Sequence, residues 1–198
     1  MSAREHKSAG QTAGNPADGQ PEEGEPPERD GPLVIDVVID EADWSAFGDV
    51  EAAVMAAAQA VGTYAELGIE RAEATVALSS DAEVAALNGT FRGKPTPTNV
   101  LSFPAGPQGP GPALTNAPRM LGDIIVARET LLREAAGQGI SPSHHLKHLV
   151  VHGLLHLLGY DHETEDEASV METLETSILA GLGIADPYAE LEHPAREA

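Results

Sequence analysis

The chain is 198 residues long and has no cysteine, which excludes a disulfide scaffold and any thiolate metal site. Its length suits one domain with appendages; no apolar run approaches a membrane span and no signal-peptide pattern opens it, so a cytoplasmic location without a membrane partner is expected. Eleven Lys and Arg face thirty-two Asp and Glu, a formal charge of −21, and a nucleic-acid substrate has to be gripped by a local basic patch against that field.

Residues 1–31 are rich in Gly, Pro, Glu, Ser and Gln and have no apolar periodicity. Such a segment cannot bury enough surface to offset the entropy of ordering, so a disordered tail is expected, followed by a single folded domain over 32–198. Leu33 to Ile39 is β-branched and reads as a strand buried on much of both faces. Asp49 can cap a helix with apolar positions Val50, Val54, Ala57, Val61 and Tyr64 that ends near Gly68. Residues 74–78 read as a second strand, and Ser80 with Glu83 as a capping box for a short helix stopped at Gly89.

Residues 99–103 read as a third strand. A loop with prolines at 104, 107, 110, 112 and 118 follows, long enough to be functional or mobile. Residues 120–127 form a fourth strand, and a helix runs from about Arg128 to Ala136, ended by Gly137 and Gly139. After the histidine-bearing helix taken up next, Thr164 and Glu167 form a second capping box, which opens a last helix reaching Gly181 or Gly183. This order predicts an α+β domain: a four-stranded mixed sheet packed with about five helices, with a metal site on a central helix and its following turn.

That site is read from His148-Leu-Val-Val-His152-Gly-Leu-Leu-His156-Leu-Leu-Gly-Tyr-Asp-His162. Ser141-Pro142 is an N-cap with proline at the first helical position. At 100° per residue His148, His152 and His156 share one stripe of a helix that is apolar nearly all round, and such a helix is buried. Gly159 ends it, and the turn through Tyr160 and Asp161 can return His162 over the first pair. Three converging imidazoles make a zinc site with an open position. Asp161 is read as a turn residue rather than a fourth ligand. His148 is read as a core group or a neighbour of the ligands, and His144, His145 and His193 as solvated or capping groups.

The spacing H-x-x-x-H-x-x-G-x-x-H is that of the metzincin peptidases. Those enzymes carry a Glu base directly after the first His. Here that residue is Gly153, so the ligand set is present without the peptidase base. Elsewhere Arg92 and Lys94 stand close together among Gly and Pro, in turn-like backbone. A guanidinium there suits a phosphate, and an ordinary surface ion pair is the competing reading.

Together these stretches resemble the YbeY family of bacterial rRNA-maturation endoribonucleases. The resemblance rests on the histidine segment 152–162, Leu87-Asn88, Arg92-Gly-Lys94, Pro97-Thr-Asn-Val-Leu-Ser-Phe-Pro104, Leu121-Gly-Asp-Ile124 and Asp186-Pro-Tyr188, in one order over about residues 33–190. It departs at Phe91, where Tyr is common, and at Pro95, where an acid is common. The resemblance implies one zinc ion held by His152, His156 and His162, and Arg92 as the functional arginine, to which Lys94 is added here as an aid in placing the strand. It also implies cleavage of single-stranded RNA, with roles in maturing the 3′ end of small-subunit ribosomal RNA and in ribosome quality control. Ribosomal small-subunit proteins are expected partners. The attacking group would be a water or the RNA 2′-OH. A zinc peptidase, and a non-catalytic ribosome-associated RNA-binding factor braced by zinc, are the alternatives.

Overall fold

The computed structural model describes residues 31–106 and 117–189. The tail expected over 1–31 lies outside them save for Gly31, as do Pro107, Pro110 and Pro112 of the long loop, and His193. The described chain forms β1 (Leu33–Ile39), α1 (Val50–Thr63), β2 (Ala72–Ser79), α2 (Asp81–Arg92), β3 (Val100–Pro104), β4 (Arg119–Ala127), α3 (Arg128–Gln138), α4 (Pro142–Leu158) and α5 (Glu165–Gly181). The sheet order is β1-β2-β4-β3, with β1, β2 and β4 parallel and β3 antiparallel to β4. Parallel neighbours need a crossover, and α1 supplies the one between β1 and β2. The expected α+β architecture is the observed one. No helix among the described residues is long and apolar enough to cross a membrane.

The caps explain where the helices begin. Asp49 accepts the Ala52 N–H at 2.9 Å, Ser141 accepts the His144 N–H at 3.1 Å, and Thr164 and Glu167 form a full capping box. At Ser80 only half the expected box forms: Ser80 Oγ accepts the Glu83 N–H, while the Glu83 carboxylate takes the Ser79 hydroxyl.

β1 has the expected bounds, but its burial and the ends of α1 and α2 differ from the sequence reading. β1 buries Leu33 and Ile35 but exposes Asp36 and Val38, because it is an edge strand covered on one face. α1 stops at Thr63, and Gly68 instead closes a separate 3₁₀ turn. α2 runs through Gly89 to Arg92 and is closed by Gly93 at φ 69°. Gly89 serves packing: a β-carbon there would lie 3.3 Å from Pro95 Cβ. The loop after α2 folds back over that spot, held by Asn88, whose Nδ2 donates to the Thr96 carbonyl at 2.8 Å.

α4 is the central helix and touches α1, α3, α5, β3 and β4. Leu146, Val150, Val151, Leu154 and Leu155 are all 0% exposed. It lies close on the sheet at Gly153, where a β-carbon would meet Ile124 side-chain atoms at 2.9–3.1 Å. His145 is not solvated as expected. It is buried between α4 and α3, with Nε2 2.8 Å from Glu134.

Candidate metal centre

α4 holds the first two imidazoles one turn apart, and its C-terminus delivers the third. Gly159 takes φ 101°, a conformation that a β-carbon disfavours, and Tyr160 N–H returns to the Leu155 carbonyl at 3.0 Å. Asp161 accepts the His162 N–H at 2.8 Å and shapes the turn. The His162 ring centre then lies 5.5 Å from that of His152 and 5.0 Å from that of His156. One nitrogen from each of the three lies within 4.8 Å of the others, close enough to hold one metal ion, and no fourth His, Asp or Glu among the described residues joins that group.

The hydrogen bonds decide which nitrogens are available. His152 Nδ1 lies 2.7 Å from Glu175 Oε1, and His156 Nδ1 lies 3.0 Å from the Tyr160 carbonyl. Both partners only accept, so both Nδ1 atoms carry a proton and both Nε2 atoms present lone pairs. Those Nε2 atoms are 3.1 Å apart. Two lone pairs at that distance repel, and a cation between them removes the conflict. Nitrogens bound at about 2.0–2.1 Å to a tetrahedral ion stand roughly 3.3 Å apart, so the donor set fits a metal such as zinc. Protonating one ring is the other way out, and the surroundings oppose it at His156. Burial, then the neighbouring His152 and His162, hold its pKa below the ordinary 6.5.

Glu175 is the residue that sequence reasoning missed. It lies on α5, 0% exposed. It accepts from His152 Nδ1 at 2.7 Å, from His148 Nε2 at 3.0 Å and from the Tyr188 hydroxyl. Burial alone would raise its pKa, but the hydrogen bonds from His148, His152 and Tyr188 outweigh it and hold the pKa at about 2. Burial, and then the Glu175 carboxylate, push the Tyr188 phenol up, so it stays a donor. Asp186 sets Tyr188 in place, accepting from Tyr188 N–H at 2.9 Å and from Thr176 Oγ1 at 3.1 Å. His148 therefore belongs to the support of the site: it shares the carboxylate that orients His152. A readable signal existed, since Glu175 interrupts the apolar stripe of Met171, Leu174, Ile178 and Leu179.

The three histidines line a cleft of about 620 Å³ together with Arg92, Asn99 and Ser102. Ser102 Oγ donates to the Gly153 carbonyl at 3.3 Å and ties β3 to α4 along the cleft floor. Arg92 is exposed at the last position of α2, helical rather than turn-like. Among the described residues it has no carboxylate partner, whereas Arg128 and Arg133 pair with Glu129 at 2.8 Å and Asp81 at 3.1 Å. Lys94 is exposed but does not line the cleft. The same cleft carries Asp161 and Glu163, so its side chains alone are not basic; a bound divalent cation would make them so. With a cation held by the histidines and the Arg92 guanidinium lining the same cleft, the site would suit an anionic ester.

The family profile described as Endoribonuclease YbeY matches residues 39–183. The protein of that name from Azorhizobium caulinodans is 50% identical over 160 residues, covering 79% of this chain and 97% of its own length. Its counterpart from Rhodopseudomonas palustris strain BisA53 is 51% identical over 160 residues, covering 80% and 92%. A Thermotoga maritima protein of known solution structure, TM1509, is more distant, with 21% identity and a TM-score of 0.46 over 84% of this chain and 99% of its own.

Proposed function

The chain belongs to the endoribonuclease YbeY family, and from that premise we propose that it is a zinc-dependent endoribonuclease. It cuts single-stranded RNA, matures the 3′ end of small-subunit ribosomal RNA and acts in ribosome quality control in the cytoplasm, alongside small-subunit ribosomal proteins. Maturation of ribosomal RNA is the role of this family. The observation that carries the reading is that His152, His156 and His162, grouped closely enough to hold one ion, line the same cleft as Arg92.

In this reading His152, His156 and His162 hold the ion through one nitrogen each. When bound, zinc supplies Lewis acidity toward a phosphoryl oxygen and lowers the pKa of the attacking hydroxyl. Glu175 fixes the tautomer and angle of His152, and the Tyr160 carbonyl does the same for His156. Arg92 neutralises charge that builds on the phosphate as the bond breaks, and Lys94 helps to guide the strand. Position 153 supplies no base. It lies against Ile124 with no room for a side chain, which counts against the peptidase alternative.

Zinc-loaded protein incubated with an end-labelled single-stranded RNA should cleave it, and Arg92→Ala and His152→Ala should not. The product ends separate the two attacking groups: a 2′,3′-cyclic phosphate excludes attack by water. Cleavage of a generic peptide that depends on His152 would favour the peptidase. A fold that collapses in His156→Ala, with no RNA cleavage by the wild type, would favour the braced RNA-binding factor.

A further inference from the structure

We propose that the ring of Phe91 is a stacking shelf for one unpaired base of the RNA whose phosphate is held at Arg92, an inference that rests on the reading of the cleft as an RNA site. Phe91 is 65% exposed. The chain has three Phe, three Tyr and one Trp, and every other one of these rings is buried or half-buried. The ring left in water is also the one next in sequence to Arg92, the guanidinium that lines the cleft and has no carboxylate partner among the described residues. In the last turn of a helix, neighbouring side chains diverge by about 100°. Arg92 lines the cleft, and Phe91, the residue before it, lies outside the lining and against Phe103, whose neighbours Ser102 and Pro104 belong to it.

The shelf is held from behind. The Phe103 ring centre lies 5.1 Å away at 61°, an edge-type contact. Phe103 stands on β3 between Ser102 and Pro104, both of which line the cleft. It packs on the small cluster of Val84, Leu101 and Ala127 beneath α2. Phe91 therefore has a fixed position and an open surface. A ring serving only to cover that cluster would be mostly out of water, and this one is mostly in it.

The electrostatics say why such a shelf is needed. A chain of charge −21 repels a polyanion at long range, and the cleft offers one arginine beside two carboxylates. Affinity has to come from a term that charge does not oppose. Stacking on an aromatic face is such a term, and it is tolerant of sequence because every base has a π-face. A guanidinium for the phosphate next to a ring for the base is the combination single-stranded nucleic acid calls for.

The test is steady-state cleavage of a labelled single-stranded oligoribonucleotide by zinc-loaded protein. Phe91→Ala should raise KM by about 10-fold or more and leave kcat within about twofold, since an interaction made equally in ground and transition states acts on KM. Phe91→Trp should restore KM and Phe91→Leu should not, because Leu fills space but cannot stack. In a series of substrates each lacking one base, one position should weaken the wild type by the same factor and leave Phe91→Ala unchanged. An unaltered KM in Phe91→Ala, a wild-type KM in Phe91→Leu, or the absence of such a position overturns the shelf while leaving the nuclease reading intact. A wild-type protein that cuts no RNA overturns both.

Discussion

Glu175 Oε1 lies 2.7 Å from His152 Nδ1, in a carboxylate withdrawn from solvent. An ionised acid in the interior is costly unless its charge is met by donors, and here His148, His152 and Tyr188 meet it. The arrangement makes His152 a more basic ligand and fixes its direction. Glu175→Gln keeps the shape and removes the charge. It should weaken zinc binding by about 10–100-fold, read by competition with a chromophoric chelator. Tyr188→Phe, which removes one donor, should have a smaller effect of the same sign. Unchanged zinc affinity in both variants would remove Glu175 from the support of the site.

Arg92 is exposed and has no carboxylate partner among the described residues, so its removal disturbs no packing. Arg92→Ala should keep the melting temperature and the zinc content of the wild type. Its kcat/KM on RNA should fall by about 10²–10³-fold, the scale of losing one charge-stabilising donor. Lys at this position keeps the charge but not the fork of donors, so it should recover only part of the loss. A drop in melting temperature matching the drop in activity would reassign Arg92 to structure.

The parts of this site that were legible are those written in short-range chemistry. Ser141, Pro142 and Gly159 mark the ends of α4, and the 3.6-residue repeat puts His152 and His156 on one face, so helix, turn and trio could all be read. The four strands and their order with the helices were legible for the same reason. What failed depended on contacts between distant segments. Gly89 looks like a helix stop until Pro95 is seen folded against it. β1 reads as buried on much of both faces until the sheet leaves it at an edge. His145 meets Glu134 from another helix, and Glu175 meets His152 from 23 residues away. Spacing carries no trace of such pairs; the only cue was an acid on an apolar stripe.

Gly153 sets how closely α4 lies on β4. A β-carbon there would stand 2.9 Å from Ile124 Cδ1 and 3.0 Å from its Cγ2. Both are methyl ends of one side chain, but Cγ2 is joined directly to Cβ and moves only when the whole side chain turns, so relief is partial. Gly153→Ala should therefore cost about 1–3 kcal/mol by overpacking, although Ala is the better helix former. Adding Ile124→Val, which removes Cδ1, should recover part of that loss. Denaturant unfolding of the two single variants and the double variant gives the coupling between the sites, and simple additivity would refute the contact.

RNA binding should depend weakly on salt. Arg92 and the ion-binding trio offer contact to one or two phosphates, and the charge of −21 offers no more. For single strands the slope of log K against log salt is about −0.7 per phosphate neutralised. A slope of about −0.7 to −1.4 is expected, and Arg92→Ala should make it shallower by about 0.7. A slope several times steeper would mean that cations beyond the cleft do most of the gripping.

His145 gives the apo protein a pH dependence of its own. Its Nε2 lies 2.8 Å from Glu134, while its Nδ1 is buried with no hydrogen-bond partner among the described residues. Charging the ring would place a second N–H where nothing accepts it. Burial is the larger influence on this group and outweighs the attraction of Glu134, so the pKa lies below the ordinary 6.5. With the folded value below the unfolded one, the unfolded chain takes up the proton first as the pH falls. The stability tied to neutral His145 is therefore complete above about 6.5 and is lost as the pH drops below it, until the folded ring also protonates. Urea unfolding of chelator-treated protein from about pH 7.5 to about pH 5.5, one unit either side of 6.5, should show stability falling toward acid. His145→Gln can still donate to Glu134 but cannot titrate, so its stability should fall less steeply over the same interval. Parallel slopes for the two proteins would assign the acid sensitivity to the histidines of the metal centre instead.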